Sequence, residues 1–169
     1  VRYIGNSRYT REINEVDMPH VTNLPLKENG CYLITGGLGG LGLIFARYLA
    51  KHAQVKLVLT GRSNLSDNNT KCIKELESCG AEVLYVKADV SNPSEVNQLI
   101  ETAKQKFTTI NGVIHSAGIL KDSLIANKTL DEMDSVFSAK IFLDNKSYFR
   151  FVTAVSFNFS SASIFLTIF

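Results

Sequence analysis

The sequence predicts an α/β protein built on a doubly wound parallel sheet that is incomplete at its C-terminus. Short apolar segments, rich in leucine and β-branched residues, alternate with longer segments whose apolar residues recur every three or four positions. The first apolar segment, residues 32–34, stops at a cluster of glycines, which is typical of a buried strand followed by a tight turn. Because crossovers between parallel strands are right-handed, this alternation places helices on both faces of one sheet.

Four strands and four helices are predicted in alternation after residue 30. The strands are expected at residues 32–34, 55–60, 82–86 and 110–115. Helical spacing predicts these buried stripes: Leu41, Ile44, Phe45, Tyr48 and Leu49; Ile73, Leu76 and Cys79; Val96, Leu99, Ile100, Ala103 and Phe107; Met133, Val136, Phe137 and Ile141. Capping residues begin the third helix at 92–95 and the fourth at 129–132, and Gly80 closes the second. Residues 64–70 are predicted to be loop.

The chain divides into three regions by composition. Residues 1–29 are polar and predict a short edge hairpin followed by an extended linker, and residues 30–142 hold the alternating pattern. Residues 143–169 form an atypical tail, in which positions 151–169 carry no charge. Nineteen uncharged residues could span a bilayer, but seven of these are polar, so we expect no membrane segment. A buried strand, a truncated end and an out-of-frame sequence are the alternatives for this tail.

The overall composition excludes several classes of protein. The 169 residues are 45% hydrophobic and 20% charged, which is ordinary for a globular domain and unlike disorder, collagen or a disulfide scaffold. A net charge of +2 without a basic stripe argues against electrostatic binding of nucleic acid. Three cysteines without a C-x-x-C pair predict reduced thiols and no metal site. With no secretory signal visible, we expect a cytoplasmic protein.

A glycine-rich motif follows the first predicted strand. It reads Thr35-Gly36-Gly37-Leu38-Gly39-Gly40-Leu41-Gly42 and contains five of the eleven glycines of the chain. Such a turn lets a pyrophosphate approach backbone N–H groups at the positive end of a helix, where a Cβ would hold it away. The alternative is a flexible turn. The position of the motif between a predicted strand and a predicted helix favours a Rossmann-like dinucleotide site.

Residues at the ends of the other strands predict the rest of that site. An NAD site usually has a carboxylate about 20 residues after the glycine turn, but no Asp or Glu occurs between Gly42 and Asp67. Arg62, followed by Ser63, stands there instead, and a guanidinium matches the 2′-phosphate of NADP(H). The alternative for Arg62 is a solvated strand end.

Two further strand ends complete the predicted cofactor site. Asp89-Val90 follows the third strand, where the carboxylate can accept from an adenine amino group or can simply hold a turn. The small residues Ser116-Ala117-Gly118 end the fourth strand and suit a ligand lying across the sheet edge. His115, just before them, is expected to be a core histidine rather than a catalyst.

The motifs T-G-G-x-G-G-L-G, L-T-G-R-S, A-D-V and H-S-A-G, in this order, resemble the short-chain dehydrogenase/reductase superfamily. More narrowly, residues 1–142 resemble ketoreductase domains of modular polyketide synthases. Residues 1–9 are similar to the strand that ends the structural subdomain before the catalytic one. Residues 118–122 are similar to a G-V-L-D-D loop, whose last position, Asp122, goes with D-type alcohol products. The resemblance implies NADPH as cofactor, and an acyl carrier protein and neighbouring synthase domains as partners.

The resemblance also implies catalytic residues, and here the match is incomplete. Lys140 matches the lysine that lowers the pKa of a catalytic tyrosine, and Ser161 matches the serine that binds the same carbonyl oxygen. Lys140 could instead be a snorkelling surface lysine. The tyrosine would follow Ser161 by about a dozen residues, beyond Phe169. Tyr148 precedes Ser161, so its position does not match that of the catalytic tyrosine.

Three functions are consistent with these residues. The first is the NADPH-binding part of a ketoreductase that reduces the β-keto group of a carrier-bound acyl chain, inactive alone without its tyrosine. The second is a non-catalytic NADP(H)-binding or structural module, with a well-packed tail. The third is a stand-alone reductase, against which the lack of a Tyr-x-x-x-Lys pair argues. We favour the first; the acyl substrate and oligomeric state do not follow from the sequence.

Overall fold

The structure, a computed structural model, describes residues 1–10, 26–119, 121, 124–141, 155–159 and 162–168. Eight strands and four α-helices lie within these ranges. They are β1 (Arg2–Ile4), β2 (Ser7–Tyr9), β3 (Cys31–Thr35), α1 (Gly40–His52), β4 (Lys56–Gly61), α2 (Asp67–Ser78), β5 (Glu82–Lys87), α3 (Pro93–Phe107), β6 (Gly112–His115), α4 (Leu130–Ile141), β7 (Val155–Phe159) and β8 (Ala162–Ile168). A 3-10 turn, Ile125–Asn127, precedes α4.

Four parallel strands confirm the predicted Rossmann-like sheet. The main sheet has the order β5-β4-β3-β6-β8-β7, and β3 pairs in parallel with both β4 and β6. Thr35, the last residue of β3, is level with Thr60 on one side and His115 on the other. The glycine turn, Arg62 and Ser116 therefore follow strands that end at one edge of the sheet.

Apolar layers on both faces of the sheet hold the crossover helices against it. Tyr32, Ile34, Leu57 and Leu59 pack with residues of α1 and α2 on one face. Alternate residues of the same strands, Leu33 and Val58 among them, pack with α3 on the other face. Strands buried on both faces are continuously apolar, which is the pattern that the sequence shows.

The last two strands run against the parallel direction. β8 pairs antiparallel with β6, with His115 opposite Phe165, and β7 pairs antiparallel with the outer side of β8. The sheet is therefore mixed rather than purely parallel. Residues 155–159 and 162–168 of the tail thus form strands, while the interpretation of the tail as a whole stays a prediction.

The buried face of α1 differs from the predicted stripe. Leu49 is buried, but Ile44 and Tyr48 are 61% and 45% exposed. Gly42 and Ala46 occupy the face toward the sheet instead. A Cβ on Gly42 would overlap the carbonyl oxygen of Gly36, so small residues allow α1 to lie against the turn, and Ile44 and Tyr48 face outward.

Several local predictions can be compared with the helix ends. The loop prediction for residues 64–70 was too long, because Ser66 caps α2 by accepting from the Asn69 N–H at 3.3 Å. Gly80, with a φ of +98°, follows the end of α2 as predicted. Thr129 and Glu132 form the predicted reciprocal capping box.

The hairpin β1-β2 is a separate two-stranded sheet rather than an edge of the main one. The linker prediction falls on residues 11–25, outside the described residues.

Candidate functional site

An open cleft with a cavity volume of about 210 Å³ lies at the carboxyl edge of the parallel strands. Eight of its lining residues were predicted from the sequence as cofactor-binding: Gly36, Gly39, Arg62, Asp89, Val90, Ser116, Ala117 and Gly118. The structure therefore brings together the ends of β3, β4, β5 and β6, which are up to 82 positions apart in the sequence when counted from Gly36 to Gly118.

The glycine turn leaves the first amides of α1 without a side-chain cap. Gly39 is the N-cap residue and is exposed, and within the described residues no side chain accepts from the first turn. The amide N–H groups of Gly40, Leu41 and Gly42 are at the positions where an α-helix has no internal acceptor. These N–H groups carry the positive end of the helix dipole and can bind an anion.

Two glycines of the turn are required by close contacts of the backbone. Gly36 has a φ of +63°, and a Cβ there would lie 2.9 Å from the Cα of Ala117. The N–H of Gly37 donates to the carbonyl of Thr60 at 3.1 Å, and a Cβ at Gly37 would lie 2.8 Å from the carbonyl oxygen of Ile34. The turn is therefore held against both neighbouring strands.

Other features show that the cleft fits a dinucleotide. A Cβ added at Gly40 or Gly118 would meet no atom within 4 Å among the described residues, so both backbones border open space. Thr60 also lines the cleft, and its buried hydroxyl has no protein partner in the part of the chain that the structure describes. Open space beside exposed backbone is what a phosphate-containing ligand requires.

Thr35 lies under the cleft rather than along it. Its hydroxyl oxygen is 2.6 Å from Nδ1 of His115, and it accepts from the N–H of Ala117 at 3.3 Å. Its carbonyl accepts from the Ser116 hydroxyl at 2.6 Å. Thr35 and His115 are both buried, so they join the ends of β3 and β6. This agrees with the expectation that His115 is a core residue, whereas Thr35 as a direct cofactor contact stays a prediction.

Asp89 and Arg62 place a negative and a positive charge in the lining of the cleft. One oxygen of Asp89 accepts from the N–H and the hydroxyl of Ser91, at 2.9 and 2.7 Å. The Ser91 hydroxyl lowers the pKa of Asp89 below its ordinary value, against the opposing effect of burial; the Ser91 N–H and the Arg62 charge lower it further. Asp89 is therefore an anion at neutral pH and holds a turn, whichever other role it has.

The remaining predicted residues lie beside the cleft or outside the described part. Gly37, Leu38, Gly40, Leu41, Gly42 and Ser63 do not line it directly. The backbone of Lys140 lies in α4, and Ser161 and Asp122 lie outside the described residues. Six further residues line the cleft and were not predicted from the sequence: Thr60, Gly61, Ala88, Ser91, Ile119 and Ser138. The D-V-S spacing of an Asx turn could have indicated Ser91.

The fold and this cleft define a Rossmann-like dinucleotide-binding domain. Comparison with known families gives a match to the KR domain over residues 30–142. The chain therefore belongs to the KR domain family, the ketoreductase domains of polyketide synthases.

Three relatives illustrate the match. The polyketide synthase PksM of Bacillus subtilis (strain 168) is 43% identical over 141 residues, 83% of this chain and 3% of that protein. The chain thus spans a small part of such synthases. A crystal structure of an N-terminal ketoreductase from a macrolactin assembly line is 51% identical, with a TM-score of 0.67, over 69% of this chain and 24% of that one. A Burkholderia cenocepacia protein with bound NADP is 27% identical, with a TM-score of 0.60, over 66% of this chain and 42% of that one.

Among the described residues, no helix has both the length and the hydropathy of a membrane-spanning segment. The same residues contain no group of three or more His, Cys, Asp or Glu side chains that could hold a metal ion.

Proposed function

We propose that this chain binds NADP(H) as the cofactor-binding part of a polyketide synthase ketoreductase domain. The full domain would reduce the β-keto group of an acyl chain carried on an acyl carrier protein, beside the other domains of the synthase. The single observation that supports this most is the uncapped N-terminus of α1, which opens on a cleft that also contains Arg62.

Each end of the cleft would hold a different part of the cofactor. The diphosphate would accept from the backbone amides of residues 39–42, and the 2′-phosphate would contact Arg62 and Ser63. Asp89 and the backbone of Val90 would bind the adenine. The nicotinamide end would lie toward Ser116, Ala117 and Gly118, where small residues allow close approach.

The reduction would also need groups that hold and donate a proton. The bound cofactor supplies a hydride to the ketone carbon. The ammonium of Lys140 would lower the pKa of a tyrosine hydroxyl so that it can protonate the oxygen, and Ser161 would donate to the same oxygen. Because the resemblance places that tyrosine after residue 169, we propose that residues 1–169 by themselves bind the cofactor without reducing a ketone.

One observation favours a second candidate, a non-catalytic NADP(H)-binding module. β8 occupies the position beside β6 and is itself covered by β7, so the tail extends the sheet without further chain. Such a module would bind the cofactor equally well. It differs in that joining it to a longer ketoreductase sequence would not produce activity.

The proposal is tested by titrating the purified chain with NADPH and with NADH and following cofactor fluorescence. We expect NADPH to bind at least tenfold more tightly, because Arg62 gains a charge-assisted contact with the 2′-phosphate. The preference should be lost in Arg62→Ala, while Lys51→Ala, a change in an exposed helix-end lysine, should retain it. Equal affinities for the two cofactors in the unmodified chain would contradict the role of Arg62.

A further inference from the structure

We propose that Tyr85 is a positioning residue that selects for the 2′-phosphate by holding the Gly61-Arg62-Ser63 segment in place. The inference rests on the proposed function and deepens it. Tyr85 lies in β5, the edge strand next to β4, and its ring packs against the core on the α1 and α2 face. Its hydroxyl reaches past the end of β4 to the segment that carries Arg62.

The hydroxyl of Tyr85 makes a short bond to that segment. It donates to the carbonyl oxygen of Ser63 at 2.6 Å and lies 3.3 Å from the carbonyl oxygen of Gly61. Because a hydroxyl has one proton, the shorter contact is the principal bond. Burial raises the pKa of Tyr85, which keeps this proton in place at neutral pH. The core therefore holds Ser63 through a rigid aromatic ring.

Gly61 makes room for this contact. A Cβ at Gly61 would lie 3.2 Å from the hydroxyl oxygen of Tyr85, closer than most side-chain contacts. The carbonyl of Gly61 in turn accepts from the N–H of Ala88 at 3.0 Å, which continues the β4–β5 pairing. The absence of a side chain at residue 61 and the hydroxyl at residue 85 are thus complementary.

The segment held in this way is otherwise exposed. Arg62, Ser63 and Leu65 all lie on the surface, between the end of β4 and the Ser66 cap of α2. A long guanidinium side chain loses several rotatable bonds when it binds a phosphate, so a fixed backbone beneath it lowers the cost of binding. Tyr85 is not itself one of the described residues that line the cleft, although its hydroxyl lies beside Gly61, which is. Its effect would therefore reach the ligand through residues 61–63.

The test compares 2′,5′-ADP with 5′-AMP, two probes that differ by the 2′-phosphate, using calorimetry on the full chain. We expect wild type to prefer 2′,5′-ADP. Tyr85→Phe, which removes only the hydroxyl, should lower this preference about fivefold, the effect of one net hydrogen bond, and leave 5′-AMP affinity within about twofold. A merely structural role would weaken both probes equally.

Tyr32→Phe is the matched control. Tyr32 is also a buried strand tyrosine on the same face of the sheet, and its hydroxyl accepts from the Lys27 N–H at 2.8 Å. Removing that hydroxyl deletes one hydrogen bond to backbone outside residues 61–63. We expect the 2′,5′-ADP preference to stay at the wild-type value in this variant.

A second variant keeps the proposal testable if Tyr85→Phe folds poorly. Gly61→Ala should disturb the same contact from the other side and lower the preference similarly. Combined with Tyr85→Phe, it should cause little further loss, because both changes remove one interaction. Fully additive losses would contradict the proposal.

The outcomes separate the two claims. If wild type binds both probes equally, the 2′-phosphate site of the proposed function is wrong, and the inference falls with it. If wild type prefers 2′,5′-ADP and Tyr85→Phe keeps that preference, the cofactor site stands and only the role of Tyr85 is overturned.

Discussion

The two halves of the main sheet are built in different ways. In the half formed by β5, β4 and β3, the strands are parallel, α1 and α2 connect them on one face, and α3 leads from β5 to β6 on the other face. In the half formed by β6, β8 and β7, the parallel order ends at β6 and an antiparallel pair completes the sheet. We refer to these as the crossover half and the hairpin half.

This difference separates the predicted cofactor residues from the predicted catalytic residues. The cleft takes its predicted cofactor residues from the crossover half and from the end of β6. Lys140 and Ser161, the predicted catalytic residues, belong to α4 and the tail. Because each crossover brings a strand end to the same edge, local patterns are enough to predict that the glycine turn, Arg62 and Asp89 lie near one another. The hairpin half depends on pairing between residues about 50 positions apart, such as His115 and Phe165.

The largest effect is expected from Gly42→Ala in the crossover half. The new Cβ would overlap the Gly36 carbonyl and lie 2.7 Å from the Cα of Gly37, both backbone atoms that cannot move freely. We expect a loss of more than about 3 kcal/mol in the free energy of unfolding, measured by urea denaturation.

Gly40→Ala is the control for that change. Its Cβ would meet nothing within 4 Å among the described residues, so stability should stay within about 1 kcal/mol of wild type. Equal destabilisation by both substitutions would show that the contact between α1 and the glycine turn does not support the crossover half.

Thiol reactivity tests how well solvent is excluded from β3, the strand of the crossover half that pairs with β6. Burial raises the pKa of Cys31 from 9.0 to about 11, whereas Cys79 is exposed. We expect Cys31 to be alkylated at least about a hundredfold more slowly than Cys79 at pH 8, measured by mass spectrometry, since the thiolate is the reactive form. Comparable rates would mean that β3 opens readily.

The same pKa shift predicts a change of stability with pH. Because the folded-state pKa of Cys31 is above the unfolded one, its neutral thiol favours the folded state fully below about pH 9. That contribution is lost as pH rises from 9 to 11. Cys31→Ala should have a flatter stability profile in this range, measured by urea denaturation; an unchanged slope would contradict the shift.

A proline in β8 tests the hairpin half. Leu166 pairs with Ile114 of β6, and β8 lies between two strands, so Leu166→Pro removes a backbone hydrogen bond on one side or the other. We expect hydrogen exchange in β6 to rise about tenfold, while exchange in β4 stays within about twofold. Unchanged exchange in β6 would show that the tail does not stabilise it.

The smallest effect is expected from Ser91→Ala. Removing its hydroxyl should raise the pKa of Asp89 toward its ordinary value of 3.8, because the largest cause of the lowered pKa is lost. A carboxyl group with a lowered pKa contributes stability above its unfolded pKa and loses it as the pH falls. The variant should therefore unfold at slightly higher pH in acid. If NMR shows the same titration of the Asp89 carboxyl in Ser91→Ala as in wild type, the predicted rise in its pKa is contradicted.

Prediction from the sequence succeeded where a feature depends on residues that are neighbours in the chain. The strand positions, the Gly80 stop and the Thr129–Glu132 cap follow from short-range spacing. It failed for Ile44 and Tyr48, because large apolar residues suggested the buried face whereas backbone contact with Gly36 required small ones. The bond from Tyr85 to Ser63 could not be predicted, since it joins residues of different elements at a distance set by strand pairing.

The sequence by itself determined that β3, β4, β5 and β6 are strands of a doubly wound parallel sheet and that a glycine turn follows the first of them, because apolar periodicity and missing side chains act locally. Tertiary structure alone decided which residues line one cleft, that Thr35 is used to join two strands, and that β8 runs antiparallel beside β6. The physical reason is that strand pairing and burial depend on which surfaces meet, and a local pattern does not specify its distant partner.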